Sequence, residues 1–198
     1  NTRGGESATL TSANRAGSQM DVTYIHVPGH GWWYAVTVID YYSRYLLAMR
    51  FTWSYSAPEV IEALKDARAE AERIHGPLAQ QPFLVTDNGT SFIAKRFAKF
   101  VRDEYAHVRI QYRTPTQLGL LERFHETLKN EEVYWRVYDS PQHARECLAE
   151  FRQRYNLRRP HWALIPAAGG GAWRRCPAPR GSGCVCIGCS TSCRPWRR

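Results

Sequence analysis

The sequence predicts a mixed α/β fold, a sheet covered by helices, and three observations predict it. Strand-like segments follow one another between residues 22 and 51, joined by turns too short for a parallel crossover. From residue 56 onward helix-period and strand-period segments alternate. Hydrophobic residues make up 43% of the 198 residues against 23% charged, so the chain can bury a real core.

Residues 1–19 are small, polar and aperiodic, and we expect a disordered or truncated lead-in. Asp21 then opens an apolar strand, Val22-Thr23-Tyr24-Ile25-His26-Val27, which Pro28-Gly29-His30-Gly31 stops. Trp32 to Ile39 and Tyr45 to Phe51 are the second and third strands, with Asp40 to Arg44 as the turn between them. Ser56-Ala57-Pro58-Glu59 has the form of a capping box with proline in the first turn. The helix it starts carries Val60, Leu64, Ala67, Ala71 and Ile74 on one stripe and ends at His75-Gly76-Pro77. Phe83-Leu84-Val85 is a short strand running into the turn Asp87-Asn88-Gly89. A second helix should bury Ile93, Phe97, Phe100 and Val101, and Val108 to Tyr112 should be another strand. A third helix spans Leu118 to about Trp135. Ser140-Pro141 opens a fourth, with Ala144, Cys147, Leu148, Phe151 and Tyr155 on one face. After Pro166 the sequence is rich in Gly, Arg, Pro and Cys without apolar period, and we assign no fold to 167–198.

Charge narrows the function. Lys and Arg number 27 against 18 Asp and Glu, net +9, which favours a polyanionic partner: DNA, RNA or an anionic membrane surface. No stretch approaches the roughly 18 apolar residues of a membrane span. The start has no apolar signal-peptide region and no Met, so we expect a fragment or processed product. Of six cysteines only Cys147 lies in the core, which argues for a reducing cytoplasm rather than a disulfide scaffold.

Most acidic residues sit beside basic ones on helix faces, but three are placed differently. Asp21 opens a strand. Asp87 lies at the carboxyl end of a strand expected to be central, where open α/β sheets hold their ligands. Glu122 lies near the start of a helix on which Leu121, Phe124 and Leu128 form the apolar stripe. Glu122, His125 and Lys129 repeat the same spacing about 100° around it. From spacing alone this lane reads as an exposed flank with incidental ion pairing. Three carboxylates brought together would, however, repel unless a cation neutralised them. Oxygen-only ligands suit Mg²⁺ or Mn²⁺, and two such ions about 4 Å apart can clamp a phosphodiester displacement. Asp40, in its turn, is expected to cap its own backbone.

With these residues in hand, the chain resembles the integrase catalytic core of bacterial insertion-sequence transposases, kin of retroviral integrases. The segments are Met20-Asp21-Val22-Thr23-Tyr24-Ile25, Val38-Ile39-Asp40-Tyr41-Tyr42-Ser43-Arg44 and Thr86-Asp87-Asn88-Gly89-Thr90. Gly119-Leu120-Leu121-Glu122-Arg123-Phe124-His125, Lys129, Tyr155-Asn156 and Arg159-Pro160-His161 follow in the family's order. Each piece is weak by itself; together, over residues 20–166, they are specific. The resemblance implies an RNase H-like five-stranded sheet and an Asp-Asp-Glu triad carried by Asp21, Asp87 and Glu122. It implies two Mg²⁺ or Mn²⁺ ions on those residues, with DNA cleavage and strand transfer at transposon ends and target. It implies Lys129 at a DNA phosphate and Arg123 and His125 shaping the site or touching DNA. It further implies a homo-oligomer on DNA and a cytoplasmic, nucleoid-associated bacterial protein. The alternatives are a nuclease of the same fold and an inactive remnant that only binds DNA.

Two departures stand out. Relatives space the second Asp and the Glu one residue further apart than the 34 residues found here, a shortening we place in Thr114-Pro115-Thr116-Gln117-Leu118. Nothing corresponds to the family's helix-turn-helix region, and the tail after Gly169-Gly170-Gly171 reads as frameshifted or degenerate coding. Its Cys186 and Cys189 form one C-x-x-C pair, but the irregular spacing and lack of His argue against structural zinc. Arg158, Arg159 and His161 form a basic exit, either a solvated patch or a DNA backbone contact. Trp32, Trp33, Tyr41 and Tyr42 are expected in cross-strand packing, and Cys147 buried as a small hydrophobe.

Overall fold

The computed structural model describes residues 17–78, 80–109, 119–159 and 161. Its strands are β1 (Gly17–Val27), β2 (Gly31–Asp40), β3 (Leu46–Thr52), β4 (Phe83–Thr86) and β5 (Ala106–Arg109). Its helices are α1 (Ala57–His75), α2 (Thr90–Ile93), α3 (Lys95–Glu104), α4 (Gly119–Glu131) and α5 (Pro141–Leu157). A 3₁₀ turn, Val133–Trp135, follows α4. The five strands form one sheet in the order β3-β2-β1-β4-β5. β1–β2 and β2–β3 are antiparallel, as their short turns require, and β1–β4 and β4–β5 are parallel.

Both faces of this sheet are covered. Alternation along β1 sends Met20 to one face and Ile25 and Val27 to the other. Val60, Leu64 and Ala67 of α1, with Phe97 and Val101 of α3, pack on the Met20 face. Leu121, Phe124 and Leu128 of α4 and Ala144, Cys147, Leu148, Phe151 and Tyr155 of α5 pack on the Ile25 face. The apolar stripes expected for α4 and α5 are therefore the ones that are buried, Cys147 included.

Several expectations need correcting. β1 starts at Gly17, not Val22, so Asp21 stands in mid-strand rather than opening it. Ser18, Gln19 and Met20 are hydrogen-bonded to β2 on one side and β4 on the other, and this central position recruits polar residues that no apolar alternation announces. The helix after Asp87 is broken: Ala94 is extended (φ −58°, ψ 137°), which separates α2 from α3 and leaves Ile93 51% exposed instead of buried. Helix α4 stops at Glu131, because Glu132 leaves helical geometry (φ −136°, ψ −62°). Ser56 is the N-cap of α1, but its side chain makes no capping hydrogen bond, so the capping box does not form. Gly76 ends α1 at φ 79°, a conformation that favours glycine. Residues 110–112 of the expected fifth strand, the lead-in 1–16 and the tail from 162 lie outside the described residues.

Candidate active site

β1 and β4 set the two aspartates side by side. Their ladder ends at Met20↔Thr86, so Asp21 and Asp87 are the next residues of two parallel neighbours, whose strands run about 4.8 Å apart. Asp21 faces α4: its Oδ2 lies 3.7 Å from Nδ1 of His125. Its Oδ1 accepts the Val22 amide at 2.8 Å. Asp87 directly follows β4, an interior strand as expected, and its Oδ1 accepts the Gly89 amide at 2.9 Å. The approach there is close, since a Cβ on Gly89 would stand 3.0 Å from Asp87 Oδ1 and 3.3 Å from Phe92 and one of these side chains would have to give. Glu122 is exposed in the first turn of α4, held over the sheet by Leu121 and Phe124.

The electrostatics join the three acids. Burial pushes the Asp21 carboxyl up to about 6, and the charges of Asp87 and Glu122 push the same way against the Val22 amide. The charges of Asp87 and Glu122 are thus both felt at Asp21, the smaller part of a shift that burial dominates. The donors are all oxygen, a set that fits a hard divalent cation, and neutralising the repulsion is the chemistry such an ion supplies. Even so, no three acidic, His or Cys side chains among the described residues converge tightly enough to hold a metal ion.

The other anticipated residues are distributed unevenly. His125 is turned into the protein, 12% exposed, with Nε2 2.9 Å from the Thr37 hydroxyl. Burial, aided by Lys129, holds its ring down at about 4. It is thus a neutral imidazole set behind Asp21. Lys129 lies with Nζ 5.2 Å from the centre of the exposed Tyr24 ring, and Arg123 is exposed. Arg158, Arg159 and His161 stand apart at the end of α5. Arg158 is exposed, Arg159 pairs with Glu131 at 2.7 Å, and His161 packs edge-on against Tyr155. Asp40 plays the expected turn role, its Oδ2 accepting both the amide and the hydroxyl of Ser43 at 2.6 Å. Trp33 stacks on Phe51 and Trp32 meets Tyr24 edge-on, also as anticipated, whereas Tyr41 and Tyr42 are 44% and 48% exposed.

Sequence reasoning passed over Thr37, Thr86 and His107. The Thr86 hydroxyl donates to the Asp87 carbonyl at 3.1 Å and lies 2.9 Å from Nε2 of His107. The available signal was a fully buried threonine in an otherwise apolar strand, which must find a partner for its hydroxyl.

Comparison with known proteins makes the family assignment. The chain belongs to the integrase core domain family, whose models match residues 13–112 and 103–166. It is 31% identical over 77 residues to an uncharacterised protein of insertion element IS476 from Xanthomonas euvesicatoria. That stretch is 38% of this chain and spans only 22% of the relative's length. Among solved structures, the catalytic domain of Mos1 mariner transposase superposes with a TM-score of 0.58 at 11% identity, covering 71% of this chain and 74% of that one. The HTLV-2 integrase catalytic core in complex with magnesium superposes at 0.55 and 18% identity, covering 73% and 87%. The RNase H-like sheet of antiparallel meander and parallel strands is common to them. Among the described residues no helix is long and apolar enough to cross a membrane.

Proposed function

We propose that this chain is the catalytic core of a transposase that cleaves DNA and joins the freed 3′ end to a target strand. The observation that carries the reading is the placement of Asp21 beside Asp87 at the end of the β1–β4 ladder, with the charge of Glu122 also felt at Asp21. Asp21, Asp87 and Glu122 would hold two Mg²⁺ or Mn²⁺ ions, which when bound supply activation of the attacking oxygen and stabilisation of the departing 3′-oxygen. The magnesium in the HTLV-2 integrase core supports divalent chemistry in this fold.

The chain's own residues supply position and charge. β1 and β4 fix two carboxylates on one rigid platform, and Glu122 closes from α4. Lys129 and Arg123, on the same helix, would take DNA phosphates beside the acids. His125 remains neutral behind Asp21, adding no charge that would compete for the carboxylate. The net +9 supports a nucleic-acid partner, and two DNA ends call for a homo-oligomer on DNA.

A strand-transfer assay on plasmid DNA with Mn²⁺, with Asp87→Asn beside the wild type, tests this. Joined products from the wild type alone uphold it. Cleavage without joining identifies a nuclease, and DNA binding without reaction from either protein identifies a remnant.

A further inference from the structure

Each aspartate of the pair is backed by the same arrangement of side chains. The Thr37 hydroxyl lies 3.1 Å from the Asp21 carbonyl oxygen and 2.9 Å from Nε2 of His125. The Thr86 hydroxyl lies 3.1 Å from the Asp87 carbonyl oxygen and 2.9 Å from Nε2 of His107. Both threonines are essentially buried, at 0% exposure. The two histidines come from different elements, α4 and β5, and reach opposite faces of the sheet: His125 beside Phe124, His107 against Phe97. The repetition falls where the β1–β4 ladder stops, at the first residue of each strand beyond the last ladder pair.

We infer that Thr37–His125 and Thr86–His107 are two positioning clasps, each fixing the main chain of one cation-binding aspartate. Proton counting gives the clasp its direction. A carbonyl oxygen only accepts, and a threonine has one hydroxyl proton, so that proton goes to the aspartate carbonyl. The hydroxyl oxygen must then accept from the imidazole, which puts a proton on Nε2 of both rings, and in the neutral ring Nδ1 is then bare. For His125 the bare nitrogen is the one facing Asp21 Oδ2 at 3.7 Å. The ring thus holds the backbone of Asp21 while donating nothing to its carboxylate, and Oδ2 is left available. Groups that orient metal-binding carboxylates in this way commonly cost 10–100-fold in affinity when removed.

The inference rests on the reading of Asp21 and Asp87 as cation ligands, and the experiment separates the two. Mn²⁺ affinity is measured by electron paramagnetic resonance for the full chain and its Thr37→Val, Thr86→Val, Thr37→Ser, His125→Gln, His125→Leu and Asp87→Asn variants. Each Val variant keeps the shape and loses the hydroxyl, and should bind about 10–100-fold more weakly. Thr37→Ser restores the hydroxyl and His125→Gln restores a donor near the Nε2 position, so both should bind close to wild type while His125→Leu does not. Val variants with unchanged affinity overturn the clasps. Were a Val variant not to fold, the His125→Gln and His125→Leu pair decides, since the threonine is intact in both. Wild type and Asp87→Asn binding Mn²⁺ equally poorly would overturn the cation reading instead. The clasps are also read without any cation, from long-range ¹H–¹⁵N correlations of metal-free protein. Nε2–H patterns for both His125 and His107 uphold them, and an Nδ1–H pattern for either overturns them.

Discussion

Asp21→Asn should make the metal-free protein more stable at neutral pH. The Asp21 side chain is 23% exposed, and burial with the charges of Asp87 and Glu122 raises its carboxyl from the usual 3.8 to about 6. Between those values the folded state binds a proton that the unfolded state has lost. Stability therefore falls as pH rises through this window and is flat above it. At about 1.36 kcal/mol per pH unit the cost is about 3 kcal/mol at pH 7.5. Asparagine keeps the oxygen that accepts the Val22 amide and removes the charge. Urea denaturation in EDTA should thus show Asp21→Asn more stable than wild type by about 3 kcal/mol at pH 7.5, with most of the gain gone at pH 4. Mn²⁺ should narrow the gap at pH 7.5 by binding the folded wild type. A gain of equal size at both pH values, or none at pH 7.5, would refute the argument that repulsion and burial strain this carboxylate.

Three further outcomes are expected. Leu128→Ala, at a fully buried position joining α4 to the sheet, should cost about 2–5 kcal/mol in urea titration. If Lys129 takes a phosphate, Lys129→Ala should reduce the slope of log affinity against log salt by about 1 in DNA titrations, whereas Arg159→Ala, which breaks the pair with Glu131, should leave that slope closer to wild type. Glu132 is a 1% exposed carboxylate whose Oε2 accepts from Arg154 at 2.8 Å, while Arg136 Nε lies 2.8 Å from Oε1 without hydrogen-bond alignment. Arg154→Met, which strips a partner from this buried charge, should therefore lower the melting temperature more than Glu132→Gln, whose arginines can both turn to water.

Much of this was legible because period and turn chemistry are local. The meander follows from two turns too short to cross over, and the faces of α4 and α5 follow from helical spacing, so Leu121, Phe124, Leu128 and Phe151 were identifiable as core. Asp40 was readable as a turn cap for the same reason, since its partner Ser43 is three residues away. The break at Ala94 and the unused Ser56 cap were not, because tertiary packing overrides local preference there.

The sequence by itself determined the strand and helix types of most segments and the family, and it nominated Asp21, Asp87 and Glu122 as the candidate acids. Tertiary structure decided what no spacing encodes: that Asp21 lies inside the central strand, that it adjoins Asp87 across a parallel seam, and that His125 turns inward to Thr37. These depend on register between segments 66 residues apart in the case of Asp21 and Asp87 and 88 residues apart in the case of Thr37 and His125. Hydrogen-bond partners at such separations are fixed by which backbone the sheet brings alongside, not by the residues next to them in the chain.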